Sequence, residues 1–98
     1  MARPAPRHWR QGTTQSVTFS QATAAAIASG VGDHIRAVRV VVKSPAYIAI
    51  GPSAVATTSD MYMASDSPAV FSIAPGEVVS AIKINAGTSI LYVTELTQ

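Results

Sequence analysis

From residue 14 onward, apolar and polar side chains alternate in short runs, each closed by Gly, Pro, Asn or Asp. A period of two sends successive side chains to opposite faces, so these runs read as half-buried β-strands. Residues 14–20 (TQSVTFS) place Val17 and Phe19 on one face. Residues 22–29 (ATAAAIAS) are alanine-rich, which favours helix. They have no capping pattern and only Ile27 as a large apolar anchor, so they read as a plain strand. Gly30, Gly32 and Asp33 supply a turn. The strongest run is 34–43 (HIRAVRVVVK). Arg36, Val38, Val40 and Val42 share one face, while the other mixes Arg39 and Lys43 with apolar groups, so the three valines are expected to point inward.

The second half continues in the same way. Residues 47–50 (YIAI) lie between Ser44-Pro45 and Gly51-Pro52, a polar loop spans 53–59, and 61–63 (MYM) makes a short strand before Asp66-Ser67-Pro68. Residues 70–74 (VFSIA) end at Pro75-Gly76, a pair suited to the two central positions of a type II turn. In 78–85 (VVSAIKIN), Val78, Ile82 and Ile84 are expected inward, with Val79, Ala81, Lys83 and Asn85 outward. A turn through Asn85, Gly87 and Thr88 leads to 89–95 (SILYVTE), apolar on both faces and therefore expected to be buried on both. Segments 44–52 (SPAYIAIGP) and 67–76 (SPAVFSIAPG) echo each other, for which shared turn chemistry is a simpler cause than a true repeat.

About eight short strands at near-regular spacing predict an all-β fold. The expected architecture is a small jelly-roll-like antiparallel β-sandwich over residues 13–98, with an extended N-terminal arm over residues 1–12. At 98 residues there is room for one domain. Hydrophobic residues make up 48% and charged residues 12%, against a usual charged share of ~25%. Such a chain can bury a core and is not expected to be disordered. Its surface is left to Ser, Thr, Ala, Gly and apolar groups, a composition more at ease against protein than in water. Cysteine is absent, so neither a disulfide nor a thiolate metal site is expected. Association is then the natural substitute for a covalent staple, and a homo-oligomer is expected, a trimer being one arrangement. No apolar stretch approaches a membrane span, and MARPAPRHWRQ lacks the apolar region of a secretory signal. These features predict a soluble product with no membrane contact.

Charge is unevenly placed. Arg3, Arg7 and Arg10 stand in the first ten residues with no acid, a local +3; beyond them Arg36, Arg39, Lys43 and Lys83 face Asp33, Asp60, Asp66, Glu77 and Glu95, a balance of −1. Pro4 and Pro6 bias the arm toward extended backbone. Trp and Arg are enriched at binding hot spots, which makes Arg3, Arg7, Trp9 and Arg10 the candidate partner-binding residues. Three arginines without a basic body give little phosphate binding, so nucleic acid is not the expected partner.

Candidate chemistry is sparse. His8 and His34 are the two histidines, no metal-ligand spacing occurs, and the carboxylates are single and beside turns or strand ends. The glycines match neither a dinucleotide fingerprint nor a phosphate loop. No catalytic, cofactor-binding or metal residues are nominated, and no enzyme is expected. Tyr47, Tyr62 and Tyr92 could line a sugar site, although half-buried strand tyrosines are the simpler reading.

Three segments carry a resemblance: YIAIG (47–51), ATTSDMYMASDSPAVFSIAPGE (56–77) and LYVTEL (91–96). Across residues 35–94 the chain resembles a group of small proteins encoded among the virion genes of tailed bacteriophages. The resemblance implies a virion structural role, first as a head decoration or cement protein held on the major capsid protein or other virion proteins. A tail, neck or fibre-attachment accessory part is the next implication. It also implies residence in the virion, after assembly in the host cytoplasm. It supplies no catalytic residues and does not reach the arm. A carbohydrate-binding β-sandwich module is a further reading, resting on the tyrosines alone.

Overall fold

A computed structural model describes residues 10–21 and 24–97. Its strands are β1 (Arg10–Ser20), β2 (Ala25–Ala26), β3 (Ala37–Val42), β4 (Ala46–Gly51), β5 (Met61–Met63), β6 (Ala69–Ser72), β7 (Val78–Lys83) and β8 (Thr88–Thr97), with no helix among the described residues. They form two four-stranded sheets, in the orders β1-β8-β3-β6 and β2-β7-β4-β5, and every pairing is antiparallel. The pairs β1 with β8, β2 with β7, β3 with β6 and β4 with β5 nest inside one another. That nesting is a single long antiparallel ribbon rolled into two layers, which is the jelly roll expected from the strand count.

The core lies between the layers. From the first sheet come Phe19, Val38, Val40, Val42, Leu91 and Val93; from the second come Ala46, Ile48, Met63, Val79 and Ala81. Val38, Val40 and Val42 are fully buried, as their alternation with Arg39 and Val41 predicts. Register ties these faces together: Val40 is opposite Val93, Val42 opposite Leu91, and Val38 opposite Phe71. Ile27, Val31, Ile35 and Ile73 close the core from the connecting segments.

Several expectations need correction. In β7 the inward set is Val79 and Ala81, both fully buried, whereas Val78, Ile82 and Ile84 are only half-buried. Facing is set by the register with β4, where Ala81 lies opposite Ile48 and Val79 opposite Ile50. Ile48 is buried, so its partners point inward too, and the larger side chains of β7 are turned out. β8 is buried on both faces only in its later part: Leu91 and Val93 are buried on one face, and on the other Thr94 and Leu96 are buried while Ile90 is exposed and Tyr92 half-buried. The alanine-rich segment contributes only Ala25–Ala26 as strand, and residues 22–23 lie outside the described residues. Finally, β1 starts at Arg10: Arg10 and Gln11 pair with Thr97 and Leu96 of β8, and the register shifts between Gln11 and Thr14, so residues 10–12 do not belong wholly to the arm.

The two lateral sides of the sandwich differ. Where β1 meets β2, the gap between sheets is bridged: Gln15 Nε2 donates to the Ser29 carbonyl at 2.9 Å and Ser29 N–H donates to Gln15 Oε1 at 3.2 Å. The amide thereby imitates one step of a strand pairing and closes that edge. On the opposite side, β5 and β6 end their sheets as short edge strands. One end of the sandwich is locked by two interleaved turns. Gly76 N–H donates to the Val31 carbonyl at 2.9 Å, and Val31 N–H donates to the Glu77 carbonyl at 3.0 Å. Gly76 has φ +83°, as the Pro-Gly turn requires.

Candidate functional site

The outward face of the second sheet is built from Ala26 on β2, Ser80 and Ile82 on β7, Tyr47 and Ala49 on β4, and Tyr62 on β5, as the cross-strand pairs place them. None of these six carries a formal charge at neutral pH. An antiparallel sheet with one face turned to water is normally polar on that face. Over this face lies the 52–60 connection. Ala56 N–H donates to the buried Ser80 Oγ at 3.0 Å, which satisfies a hydroxyl that would otherwise be stranded. The anchoring buries Ala56 and leaves its neighbour Val55 69% exposed. Asp60 steadies the same loop, its Oδ2 accepting from Thr57 N–H at 2.7 Å and from Thr57 Oγ1 at 3.1 Å. Tyr47 and Tyr62 meet edge to face, with ring centroids 6.4 Å apart and planes at 72°. The rings are not coplanar, so they do not form one flat stacking platform.

The outward face of the first sheet is also nearly free of charge. β1 presents Thr14, Ser16 and Thr18 beside Thr94, Tyr92 and Ile90 of β8, and the hydroxyls of Thr14 and Thr94 are bonded at 2.9 Å. Arg39 is the charged residue on this face, next to Val70 of β6.

Charged groups sort instead to the turns at the ends of the sandwich. At one end Glu95 Oε2 accepts from Gly32 N–H at 3.0 Å, Glu77 Oε1 accepts from Ala74 N–H at 2.8 Å, and Arg36 Nη1 donates to the carbonyls of Asp33 and Ile35 at 3.1 Å. At the other, Lys43 Nζ and Asp66 Oδ1 pair at 2.9 Å, and Lys83 Nζ donates to the carbonyls of Asn85 and Ala86. The hydrogen bond and charge of Asp66 hold the Lys43 ammonium above its ordinary value. These polar groups mostly satisfy backbone or one another, and among the described residues no three of His, Asp and Glu gather as a metal site.

Of the arm residues singled out by sequence, Arg3, Arg7 and Trp9 lie outside the described residues, and Arg10 opens β1. Tyr92 is on the other sheet from Tyr47 and Tyr62, so the three tyrosines do not share one surface. Sequence reading missed the uncharged outward face, because it assigned Ile82 inward; the absence of charge on every second residue of 47–51 and 78–82 was the available signal. Comparison with protein-family models, with curated proteins and with solved structures found no match for the chain.

Proposed function

We propose that the protein is a structural component of a bacteriophage particle that attaches to the assembled protein shell and adds contacts across its subunits. Attachment is carried by one observation, the outward face of the second sheet, which holds Tyr47, Ala49, Tyr62 and Ile82 and no charge. Covering a charged face removes ions from water and costs several kcal/mol for each one left unpaired. Covering this face carries no such cost, and each 100 Å² of apolar surface removed from water contributes about 2.5 kcal/mol. The phage setting comes from the resemblance, whose segments fall on this architecture: YIAIG is most of β4, MYM is β5, and the Pro-Gly-Glu step is the turn interleaved with Val31.

The neutral face suits an uncharged partner surface. The basic segment before β1, with Arg3, Arg7 and Trp9, adds a second contact, since nine residues span at most about 30 Å when extended, with Arg10 at its root on β1. Many copies bound to a lattice gain by avidity even when each contact is weak. A tail or neck position uses the same contacts and differs in copy number.

Quantitative mass spectrometry of purified particles tests the proposal. A copy number comparable with that of the shell subunit supports the head position, and a small fixed number supports the tail or neck. Absence of the chain from particles overturns the proposal. Val55→Glu adds a charge beside the neutral face and is expected to reduce occupancy; unchanged occupancy would remove this face from the contact. Glycan affinity that disappears in Tyr62→Ala, with no particle association, would favour the carbohydrate module instead.

A further inference from the structure

We infer that residues 1–9 of one copy of this chain add as a strand to the outer rim of β1 in a second copy, and that the two copies exchange these segments about a twofold axis. The inference does not depend on the proposed function. It names what the segment before β1 touches.

β1 is the longest of the four edge strands, with 11 residues against 2 in β2, 3 in β5 and 4 in β6. Its unpaired backbone groups follow from the neighbouring ladder. Lys43 N–H donates to the Ile90 carbonyl at 3.1 Å. Backbone direction alternates along an antiparallel strand, so Ile90, Tyr92 and Thr94 turn their N–H and C=O toward β3, and Ser89, Leu91 and Val93 turn theirs toward β1. Their partners Phe19, Val17 and Gln15 face β8 in return, which leaves Thr18, Ser16 and Thr14 facing outward from the sheet. These three residues are exposed, and among the described residues no backbone bond ties them to another segment. The clasp between Gln15 and Ser29 bridges the two layers through a side chain and does not use them. Edge strands are normally blunted by charge or proline, and residues 14–20 contain neither.

The register shift selects the occupant. Gln11 lies opposite Leu96 and Thr14 opposite Thr94, so residues 12 and 13 together fill the place of one. Leu96 and Thr94 both turn toward β3, so Gln11 shares the outward direction of Thr14, and Arg10, opposite Thr97, faces β8. Carried on in extended form, this alternation turns Trp9, Arg7, Ala5 and Arg3 to the rim side. It turns His8, Pro6 and Pro4 to the side of β8, a strand that ends at Thr97. Proline is tolerated on an edge strand when its missing N–H faces away from the partner. Pro4 and Pro6 therefore leave every donor on the rim side intact and block further strand addition on the other.

Geometry makes the acceptor a second copy. Return of the segment onto its own rim needs a reversal within residues 8–10. Tight hairpin loops take Gly, Asn or Asp at their positive-φ positions; His8, Trp9 and Arg10 supply none, and Arg10 is already paired with Thr97. A straight segment laid antiparallel beside β1 of a second copy makes the two β1 strands antiparallel neighbours. The second segment then lies on the first rim without further adjustment, and the exchange is reciprocal. Arg3, Ala5 and Arg7 of each copy bond to the rim formed by Thr14, Ser16 and Thr18 of the other. The two bodies sit on opposite sides of the seam, displaced along it.

Sedimentation equilibrium and amide exchange of the full chain test this. The expected result is a reversible dimer in which exchange at Thr14, Ser16 and Thr18 slows as concentration rises. Ala5→Pro removes an N–H that faces the mate, twice per dimer, and is expected to weaken association about tenfold to a hundredfold. His8→Pro places its proline on the side without a partner and is expected to leave association within about threefold of the native protein. Both positions precede β1 and its ladder, so neither variant touches the core. A nitroxide attached at Ala5→Cys, on chains mixed with isotope-labelled native chains, should broaden the rim amides of the labelled copies. A monomer at all concentrations, a mass that grows beyond two copies, rim amides that exchange freely in the dimer, no broadening across copies, or equal weakening by Ala5→Pro and His8→Pro would each overturn the inference.

Discussion

Among the described glycines, Gly30 leaves the least room for a side chain. A Cβ at this position would lie 2.6 Å from the carbonyl carbon of Gly76 and 2.9 Å from its Cα, and nearer still to its carbonyl oxygen. Carbon atoms in good contact sit ~3.5–4.0 Å apart, so Gly30→Ala must open a gap of about 1 Å between two backbones. A rotamer change cannot provide it. The opening acts on the interleaved turns, where Gly76 N–H to the Val31 carbonyl and Val31 N–H to the Glu77 carbonyl measure 2.9 and 3.0 Å. An extra 1 Å takes both beyond hydrogen-bonding range. Two such bonds contribute a net ~1–3 kcal/mol, and partial withdrawal of the buried Val31 side chain adds about 1 kcal/mol. The expected loss is therefore about 2–4 kcal/mol, which for a chain of this size lowers Tm by roughly 10–25 °C. Urea unfolding followed by circular dichroism measures it, with Gly32→Ala as the control. At Gly32 the nearest atoms to a Cβ are Ile35 Cγ1 at 3.7 Å and Glu95 Oε2 at 3.9 Å, which is ordinary contact. That variant should stay within about 0.5 kcal/mol of the native protein. If the two alanine variants unfold at the same midpoint, the interleaved turns do not constrain the fold as argued.

Other changes separate different physical causes. Gly76→Ala meets no atom within 4 Å, so its cost comes only from φ +83° and should be about 1–2 kcal/mol by the same unfolding assay, partly recovered by Gly76→Asn. Leu91→Ala removes a fully buried side chain from the middle of β8 and should cost about 2–5 kcal/mol. Ser89 Oγ is buried without a hydrogen-bond partner opposite Phe19, so Ser89→Ala should raise the urea midpoint, by about 1 kcal/mol in stability. The Lys43 pKa is raised above 10.5 in the folded protein, so the stabilising effect of its pairing with Asp66 is fully present below pH 10.5 and is lost as pH rises through the folded value. Lys43→Met should thus be slightly less stable than the native protein at neutral pH and equal to it at strongly alkaline pH, the difference shrinking in high salt.

The elements were legible because each strand carries its own alternation and its own stop. Val38, Val40 and Val42 point inward as their spacing requires, Pro75-Gly76 turns with the positive φ expected of the glycine, and MYM is a three-residue strand between polar loops. Where a run was apolar on both faces, alternation could not choose between them. In β7 the choice fell on the bulkier Val78, Ile82 and Ile84, and the register with β4 reversed it. In β8 two apolar faces suggested double burial, yet Ile90 lies on the open side of its sheet. The candidate surface was lost with the first of these errors, because Ile82 belongs to it. The arm residues Arg3, Arg7 and Trp9 fall outside the described residues, and their part in binding rests on composition.

The chain by itself determined the number of strands, their turns, the all-β class and the segregation of its few charges. All of these depend on neighbours in sequence, through side-chain alternation and the backbone preferences of Gly and Pro. Only the tertiary structure decided which strands are neighbours, and with that which face of β7 is inside, which side is sealed by Gln15 and Ser29, and which is left open at β5 and β6. Those choices rest on pairings such as β1 with β8, made between residues 80 apart in the case of Thr14 and Thr94, and no local pattern encodes a partner at that distance.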